Sequence, residues 1–440
     1  MRQIKGIRPG YSSRQLKTFI ESLRQRAFTS GRRENVHKIV GKILFDVRKN
    51  GDKAVKKYTE KFDSVKLKRL SVDKKEIEAS AKKADKGFLK AMKHSAKGIK
   101  AFHELQKKER SWYFSENGIL LGHIIRPIER VGVYVPGGKA SYPSTVLMNV
   151  IPAQVAGVQY IALCVPTPDG KINPQIAAVI KLLGLKEIYR IGGAQAIAAM
   201  AYGTKTVKKV DKITGPGNIY VATAKKMVFG DVDIDMIAGP SEILIIADRT
   251  ANPSFVAADI LSQAEHDEMA SSILITNSKY LAERVSKELV LQLKNLKRKN
   301  IAKKSIDKYG AIIIAKDIGT AVDIANEIAP EHLEIMTKVP AKLLPKIKNA
   351  GAIFLGEWTP EPLGDYAAGP NHILPTCGTA RFSSPLGVYD FIKRSSLLDF
   401  KKEGFLNLAK TVETFADTEG LEAHGNSIRI RSKSAGNRTG

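Results

Sequence analysis

Val131-Gly132-Val133-Tyr134-Val135 is a short apolar run that ends abruptly in Pro136-Gly137-Gly138, and a helix-like stretch over 144–155 follows it. The same alternation continues outward: strand 160–165, helix 174–183, strand 187–191, helix 194–202, strand 210–214 and helix 219–229. Short apolar strands alternating with helices predict βαβ units, and hence a parallel sheet covered on both faces. A second series begins after Gly239-Pro240-Ser241, with a strand at 243–247 and a helix behind Asn252 reaching from 253 to about 269. Strand 272–276, a long helix to about 297, strand 311–315, helix 319–328, strand 333–337, helix 341–349 and strand 352–355 complete it.

The expected fold is therefore α/β, with two consecutive Rossmann-like doubly wound parallel-sheet domains and no residue-level repeat between them. The expected boundaries are an N-terminal arm over 1–30, a charged helical region over 31–112, a first domain over 124–240, a second over 241–378 and a C-terminal tail over 379–440. The N-terminal helices need a sheet to pack on, and the second is the expected one. The basic end Arg429-Ile430-Arg431-Ser432-Lys433 is expected to fray.

With 440 residues, 43% hydrophobic and 26% charged, the composition is that of an ordinary soluble protein with large cores. Cys164 and Cys377 stand far apart, which argues against a disulfide framework or a cysteine-based zinc cluster and fits a reducing cytoplasm. No apolar run is long enough to cross a bilayer, and no apolar segment follows the basic start at Arg2, Lys5 and Arg8, so a cytoplasmic setting without membrane contact is expected. The net charge of +27 raises the question of nucleic acid. Its basic residues are scattered, as in Val65-Lys66-Leu67-Lys68-Arg69, with no stripe of interleaved aromatics and no nucleic-acid motif. A lysine-rich surface is the expected explanation, with no nucleic-acid partner.

Ligands of open parallel sheets bind beyond the carboxyl ends of the strands. Three loops of the first series lie there: Tyr134 opening Val135-Pro136-Gly137-Gly138, then Gly192-Gly193-Ala194-Gln195, then Gly215-Pro216-Gly217-Asn218. Such glycines admit a phosphate to free helix N–H groups, although each loop alone also reads as a tight turn and no G-x-G-x-x-G fingerprint is present. In the 253–269 helix, Gln263 and His266 are three apart, so on one helix face they can converge on a metal. An exposed polar face is the plainer reading of that spacing, and Asp259 and Asp267 are rival carboxylates. Pro330-Glu331-His332 pairs a carboxylate with an imidazole at a helix-to-strand junction, which suits proton transfer or water activation as well as a local hydrogen-bonded pair. Gly364-Asp365-Tyr366 and His372 follow in a glycine-rich loop, where an Asp is usually a turn former.

Five stretches together resemble the histidinol dehydrogenase family. They are the 234–242 run Ile-Asp-Met-Ile-Ala-Gly-Pro-Ser-Glu, the 261–267 run Leu-Ser-Gln-Ala-Glu-His-Asp, Ala329-Pro330-Glu331-His332-Leu333-Glu334, the 364–372 run from Gly364 to His372, and Glu419-Gly420-Leu421-Glu422-Ala423-His424. The resemblance runs from about residue 10 to about residue 430, with the motifs in order. It implies an architecture like that of aldehyde dehydrogenases, and oxidation of L-histidinol to L-histidine through bound histidinal with two NAD. It further implies zinc held by Gln263, His266, Asp365 and His424, and substrate contacts from Ser241, Gln263, His266, His332, Asp365, Glu419 and His424. Nucleotide contacts from Tyr134, Gln195 and Asn218 are implied, with Glu331 and His332 catalytic and no catalytic thiol. The family's homodimer would complete each site with the partner's tail. A zinc hydrolase using the same ligands is the competing enzyme reading, and it would need no nucleotide loops.

Overall fold

The computed structural model describes residues 2–7, 14–26, 30–137 and 142–436; Gly138 and parts of the N-terminal arm lie outside them. The chain opens with strand β1 (Arg2–Ile7) and helices α1 (Arg14–Gln25), α2 (Ser30–Asn50), α3 (Asp52–Asp63), α4 (Lys74–Ala81) and α5 (Lys86–Gln106). Strands β2 (Trp112–Glu116) and β3 (Ile119–Pro127) come next. The first alternating series is β4 (Arg130–Tyr134), α6 (Pro143–Ala156), β5 (Tyr160–Cys164), α7 (Pro174–Leu183), β6 (Glu187–Tyr189), α8 (Gly193–Tyr202), β7 (Lys212–Thr214), α9 (Ile219–Val228) and β8 (Asp233–Ile234). The second is β9 (Glu242–Ala247), α10 (Pro253–Ala264), β10 (Ser271–Thr276), α11 (Lys279–Asn295), α12 (Lys299–Tyr309), β11 (Ala311–Ala315), α13 (Ile318–Ile328), β12 (His332–Met336), β13 (Ala352–Leu355) and α14 (Glu361–Tyr366). Strand β14 (Ile392–Phe400) and helices α15 (Lys402–Thr418) and α16 (Glu422–Gly436) end the chain.

Five parallel strands in the order β6-β5-β4-β7-β8 form the first sheet. Val133 sits level with Leu163 on one side and Thr214 on the other, so the loops after β4, β5 and β7 open along the same carboxyl edge. The second sheet, also parallel, has the order β1-β11-β10-β9-β12-β13. All six residues of β9 are buried, as expected of a central strand covered on both faces. His332 lies level with Ile243, which brings Glu331, His332 and Glu242 together at the amino edge of this sheet.

One face of the second sheet packs on α10, α11 and α12, and the other on α1 and α13. The expected docking of the 31–112 helices on this sheet is corrected: Val36, Val40, Ile43, Val47, Val55 and Tyr58 instead share a core with α8 and α9 of the first sheet. The cause is geometric. Crossover helices and α1 already occupy both faces of the second sheet, whereas α8 is built of small residues (Ala194, Ala196, Ala198, Ala199, Ala201) that let another helical layer approach. Burying each large apolar side chain there contributes about 1.5–3 kcal/mol. Two further expected helices are shorter: the one from 253 stops at Ala264, and 341–349 is replaced by a 3-10 turn over Pro340–Lys346, with Pro345 inside it. The N-terminal arm contributes a sheet strand, β1, that periodicity did not reveal.

Lys107–Pro127 and Ile392–Gly440 form a second compact unit. Within it β14, β3 and β2 make an antiparallel sheet, with Leu121 opposite both Leu398 and Phe114. The expected limits at 124 and 379 therefore move: the first parallel sheet starts at Arg130, and the terminal unit starts at Ile392. The basic end expected to fray continues α16 as far as Gly436.

Candidate active site

At the end of α13 the backbone of Ala329 turns left-handed, with φ of 54°, and Pro330 prevents further helix. Glu331 and His332 then enter β12 buried, at 7% and 3% exposure. His332 Nδ1 lies 2.8 Å from the carbonyl oxygen of Glu242. A carbonyl only accepts, so Nδ1 carries the proton and Nε2 presents its lone pair. That Nε2 is buried without a hydrogen-bond partner, 3.9 Å from both Glu361 Oε1 and Asp365 Oδ1. Glu331 Oε2 accepts from the Glu242 N–H at 2.8 Å and lies 3.8 Å from His332 Nδ1.

Glu361, 2% exposed, starts α14 and donates its N–H to Glu334 Oε1 at 2.8 Å. Ser262 Oγ donates to Glu361 Oε2 at 3.2 Å. The Gln263 amide, oriented by its partners, donates to Glu361 Oε1 at 3.1 Å and accepts from the Glu242 N–H at 3.0 Å. His372 Nδ1 donates to the Asp365 carbonyl at 3.1 Å.

Burial raises Glu331 well above the usual carboxylate range, and the nearby Glu242, Asp365 and Glu361 add to the rise. Asp365 is pushed up to about 8 by burial and by Glu361. Burial lowers His332 below an ordinary imidazole, against the attraction of Glu361, and takes His372 down to about 4. Several carboxylates thus crowd one neutral imidazole, an arrangement that favours protons or a cation among them. Donor atoms of His332, Glu361 and Asp365 all lie within 4.8 Å of one another. A mixed imidazole and carboxylate set of this kind, with an unpartnered buried nitrogen, fits a borderline cation such as zinc.

Of the expected metal ligands, Gln263 and Asp365 come together around Glu361. α10 ends at Ala264, so His266 lies in the turn that follows it, exposed, one turn on from Gln263 with its N–H bonded to the Gln263 carbonyl at 3.2 Å. It remains near enough to depress both His332 and His372. Ser241 immediately precedes β9 and is half-buried. Glu419 ends α15 and His424 lies in α16, both exposed within the second unit. Of the rival carboxylates, Asp259 is buried beside Glu334 and raised by that burial to about 6, while Asp267 is exposed and accepts from the Met269 N–H.

The three residues expected to contact a nucleotide line the carboxyl edge of the first sheet. Tyr134 is buried and its hydroxyl accepts from the Gly193 N–H at 3.2 Å, joining two of the loops. Gln195 is buried in the first turn of α8 with neither amide atom bonded. Asn218 caps α9 by accepting from the N–H groups of Tyr220 and Val221. Gly215, with φ of 110°, must lack a Cβ, because one placed there would collide with the Tyr134 carbonyl. Burial raises the thiols of both Cys164 and Cys377, the latter to about 12, so neither is an activated nucleophile.

Sequence reasoning missed Glu242, Glu361 and Arg26. A glutamate opening the apolar strand Ile243-Leu244-Ile245-Ile246 was a signal, because a buried charge demands a partner. Glu361 stands between Pro360 and Pro362 and looks like loop. Arg26 meets its partner Glu242 across 216 residues, with no local sign.

The family profile described as histidinol dehydrogenase matches residues 27–432. A histidinol dehydrogenase of Syntrophotalea carbinolica is 54% identical over 402 residues, covering 91% of this chain and 93% of that protein. One from Clostridium acetobutylicum is 51% identical over 416 residues, covering 94% and 96%. The crystal structure of histidinol dehydrogenase from Elizabethkingia anophelis has a TM-score of 0.90 at 39% identity and covers 99% of this chain and 98% of that one. The protein is an α/β enzyme of the NAD-dependent oxidoreductase class. It belongs to the histidinol dehydrogenase family.

Proposed function

We propose that this enzyme oxidises L-histidinol to L-histidine through bound L-histidinal, using two NAD and one zinc ion per subunit, in the last steps of histidine biosynthesis. The observation that carries this reading is the state of His332: neutral, buried, with Nδ1–H committed to the Glu242 carbonyl and Nε2 free to take a proton. His332 Nε2 accepts the alcohol proton as hydride leaves for the first NAD. Glu331 then draws a proton from water for hydration of the aldehyde, and His332 assists the second hydride transfer. Retaining the aldehyde between the two oxidations keeps the second step effectively intramolecular.

Gln263, His266 and Asp365, joined by His424 from a second copy of the chain, would hold the zinc. When bound, it supplies an anchor for the substrate's imidazole and amine. The compact set His332, Glu361 and Asp365 shares one ligand with this assignment and is the alternative cradle. Ser241 and Glu419 contact the substrate, with Tyr134, Gln195 and Asn218 serving the dinucleotide. The unpartnered Gln195 amide supports that last role, because a buried amide left unbonded is costly without a ligand. A homodimer with shared sites and a cytoplasmic setting complete the proposal; no described helix is long and apolar enough to cross a membrane.

The test is NADH formation from L-histidinol, with and without a chelator. Two NADH per histidinol, lost on chelation and restored by zinc, is the expected result; none under zinc-replete conditions overturns the proposal.

A further inference from the structure

Arg26, one residue past α1, has no part in the chemistry above, yet it is buried at 2% exposure behind the reactive pair. Its Nη2 donates to the Pro240 carbonyl at 2.9 Å and to Glu242 Oε1 at 2.5 Å. The carboxylate it grips belongs to the residue on which the site is hung. Glu242 Oε2 accepts from the Glu331 N–H at 3.3 Å, the Glu242 N–H donates to Glu331 Oε2 at 2.8 Å, and its carbonyl receives His332 Nδ1–H at 2.8 Å. Arg26 therefore reaches both Glu331 and His332 through a single intermediary, and it clamps the peptide beside Ser241 as well.

Stability alone is a poor reason for this arginine. Its guanidinium lies 5.8 Å from the centre of the Tyr309 ring and close to the Cys377 thiol, and its Nε and Nη1 are buried without a well-formed hydrogen bond. A buried ion pair with donors left over contributes less than apolar packing of the same volume. What the pair does supply is a fixed position, since a charge-assisted bond on Oε1 and a backbone N–H on Oε2 leave the Glu242 carboxylate no freedom to rotate.

We propose that Arg26 is a positioning residue of the dehydrogenase reaction, which by holding Glu242 from behind sets the placement of Glu331 and His332 against the substrate. The inference rests on the assignment of the proton chemistry to those two residues.

The test compares the full-length protein with Arg26→Met, Arg26→Lys and the double variant Arg26→Met/Glu242→Gln, each assayed for NADH from L-histidinol and for zinc content. Arg26→Met is expected to lower kcat about 100-fold, the scale of a misplacement near 1 Å. KM for L-histidinol should stay within about threefold and zinc content should not change, because the interaction acts on the reacting geometry rather than on binding. Arg26→Lys, which keeps the charge but places its ammonium on a shorter stem than the Nη2 that bonds both acceptors, should recover part of kcat. The double variant should be no slower than Arg26→Met, since the two residues act as one unit. If Arg26→Met fails to fold, Arg26→Lys decides: a reduced kcat at constant KM supports the proposal, and an unchanged kcat overturns it. Losses that multiply in the double variant, or a loss confined to KM or zinc, also overturn it. No NADH from the unaltered protein would overturn the reaction assignment together with this inference. Normal turnover in Arg26→Met beside an active parent would overturn this inference alone.

Discussion

His332 and Glu242 are joined by a hydrogen bond from imidazole Nδ1–H to the Glu242 carbonyl, 2.8 Å long, across neighbouring parallel strands. That bond selects the tautomer and aims Nε2 into the carboxylate cluster. Replacing His332 by Asn keeps a donor for the carbonyl but removes the base. Turnover is expected to fall about 10²- to 10⁴-fold, the usual reach of general acid–base catalysis, with zinc retained. Steady-state NADH assays beside metal analysis check this, and near-normal turnover would refute the role of base.

The two candidate cradles for the metal share Asp365 but differ at His266 and Glu361. His266→Asn is expected to deplete zinc from dialysed protein, whereas Glu361→Gln should leave the zinc content unchanged. Elemental analysis of both variants reads the answer. The opposite pattern would move the ion to His332, Glu361 and Asp365.

Shared sites predict complementation. His332→Asn and His424→Asn are each expected to be inactive, but mixing them should form hybrid dimers with one working cleft. Activity recovering toward a quarter of the unaltered level, the share of sites with both residues intact under random subunit exchange, is about what that symmetry allows. No recovery with subunit exchange demonstrated would argue against a tail that crosses between copies.

The glycine loop at Gly215, proposed to serve the dinucleotide, is braced by a buried ion pair. Lys225 bonds to Asp235 and donates to the Gly215 carbonyl at 2.9 Å, while Asp235 Oδ2 accepts from the Gly215 N–H at 2.8 Å. Both charged side chains are almost wholly enclosed. Lys225→Met leaves a buried carboxylate alone and should destabilise the fold by about 3–5 kcal/mol. Denaturant unfolding measures this, and KM for NAD is expected to rise before L-histidinol binding changes. A loss under about 1 kcal/mol would show that the pair adds little beyond its packing.

Asp390 offers a pH test away from the site. Burial raises its carboxyl to about 6, and its Oδ2 accepts from the Gly387 N–H at 2.7 Å. For a raised carboxyl, the stabilising contribution is complete below the unfolded value and is lost as pH rises through the folded one. Asp390→Asn, which keeps an acceptor, should therefore raise Tm at pH values of about 7–8 and have little effect near about pH 4, with a gain of at most about 3 kcal/mol. Equal shifts at both pH values would contradict the sign.

Much of this architecture was legible because it is written locally. Apolar runs broken by glycine and proline marked each βαβ unit, since a strand covered on both faces must be continuously apolar and a crossover helix must show its own period. The Ala329-Pro330-Glu331-His332 junction and the glycine loops bearing Tyr134, Gln195 and Asn218 were visible for the same reason. The point at which α10 ends was not: the helix expected to reach about 269 stops at Ala264, and His266 lies in the turn beyond it.

The sequence by itself determined two parallel sheets, their loops and the family to which the chain belongs. Tertiary structure alone decided which sheet received the N-terminal helices, that β3 leaves the parallel domain to pair with β14, and that Arg26, Glu242, Glu361 and His332 form one buried network. The physical reason is range. Helices, turns and strand burial follow from residues a few positions apart. The depth and partners of a charge depend on which distant segments close around it, and no period along the chain records that.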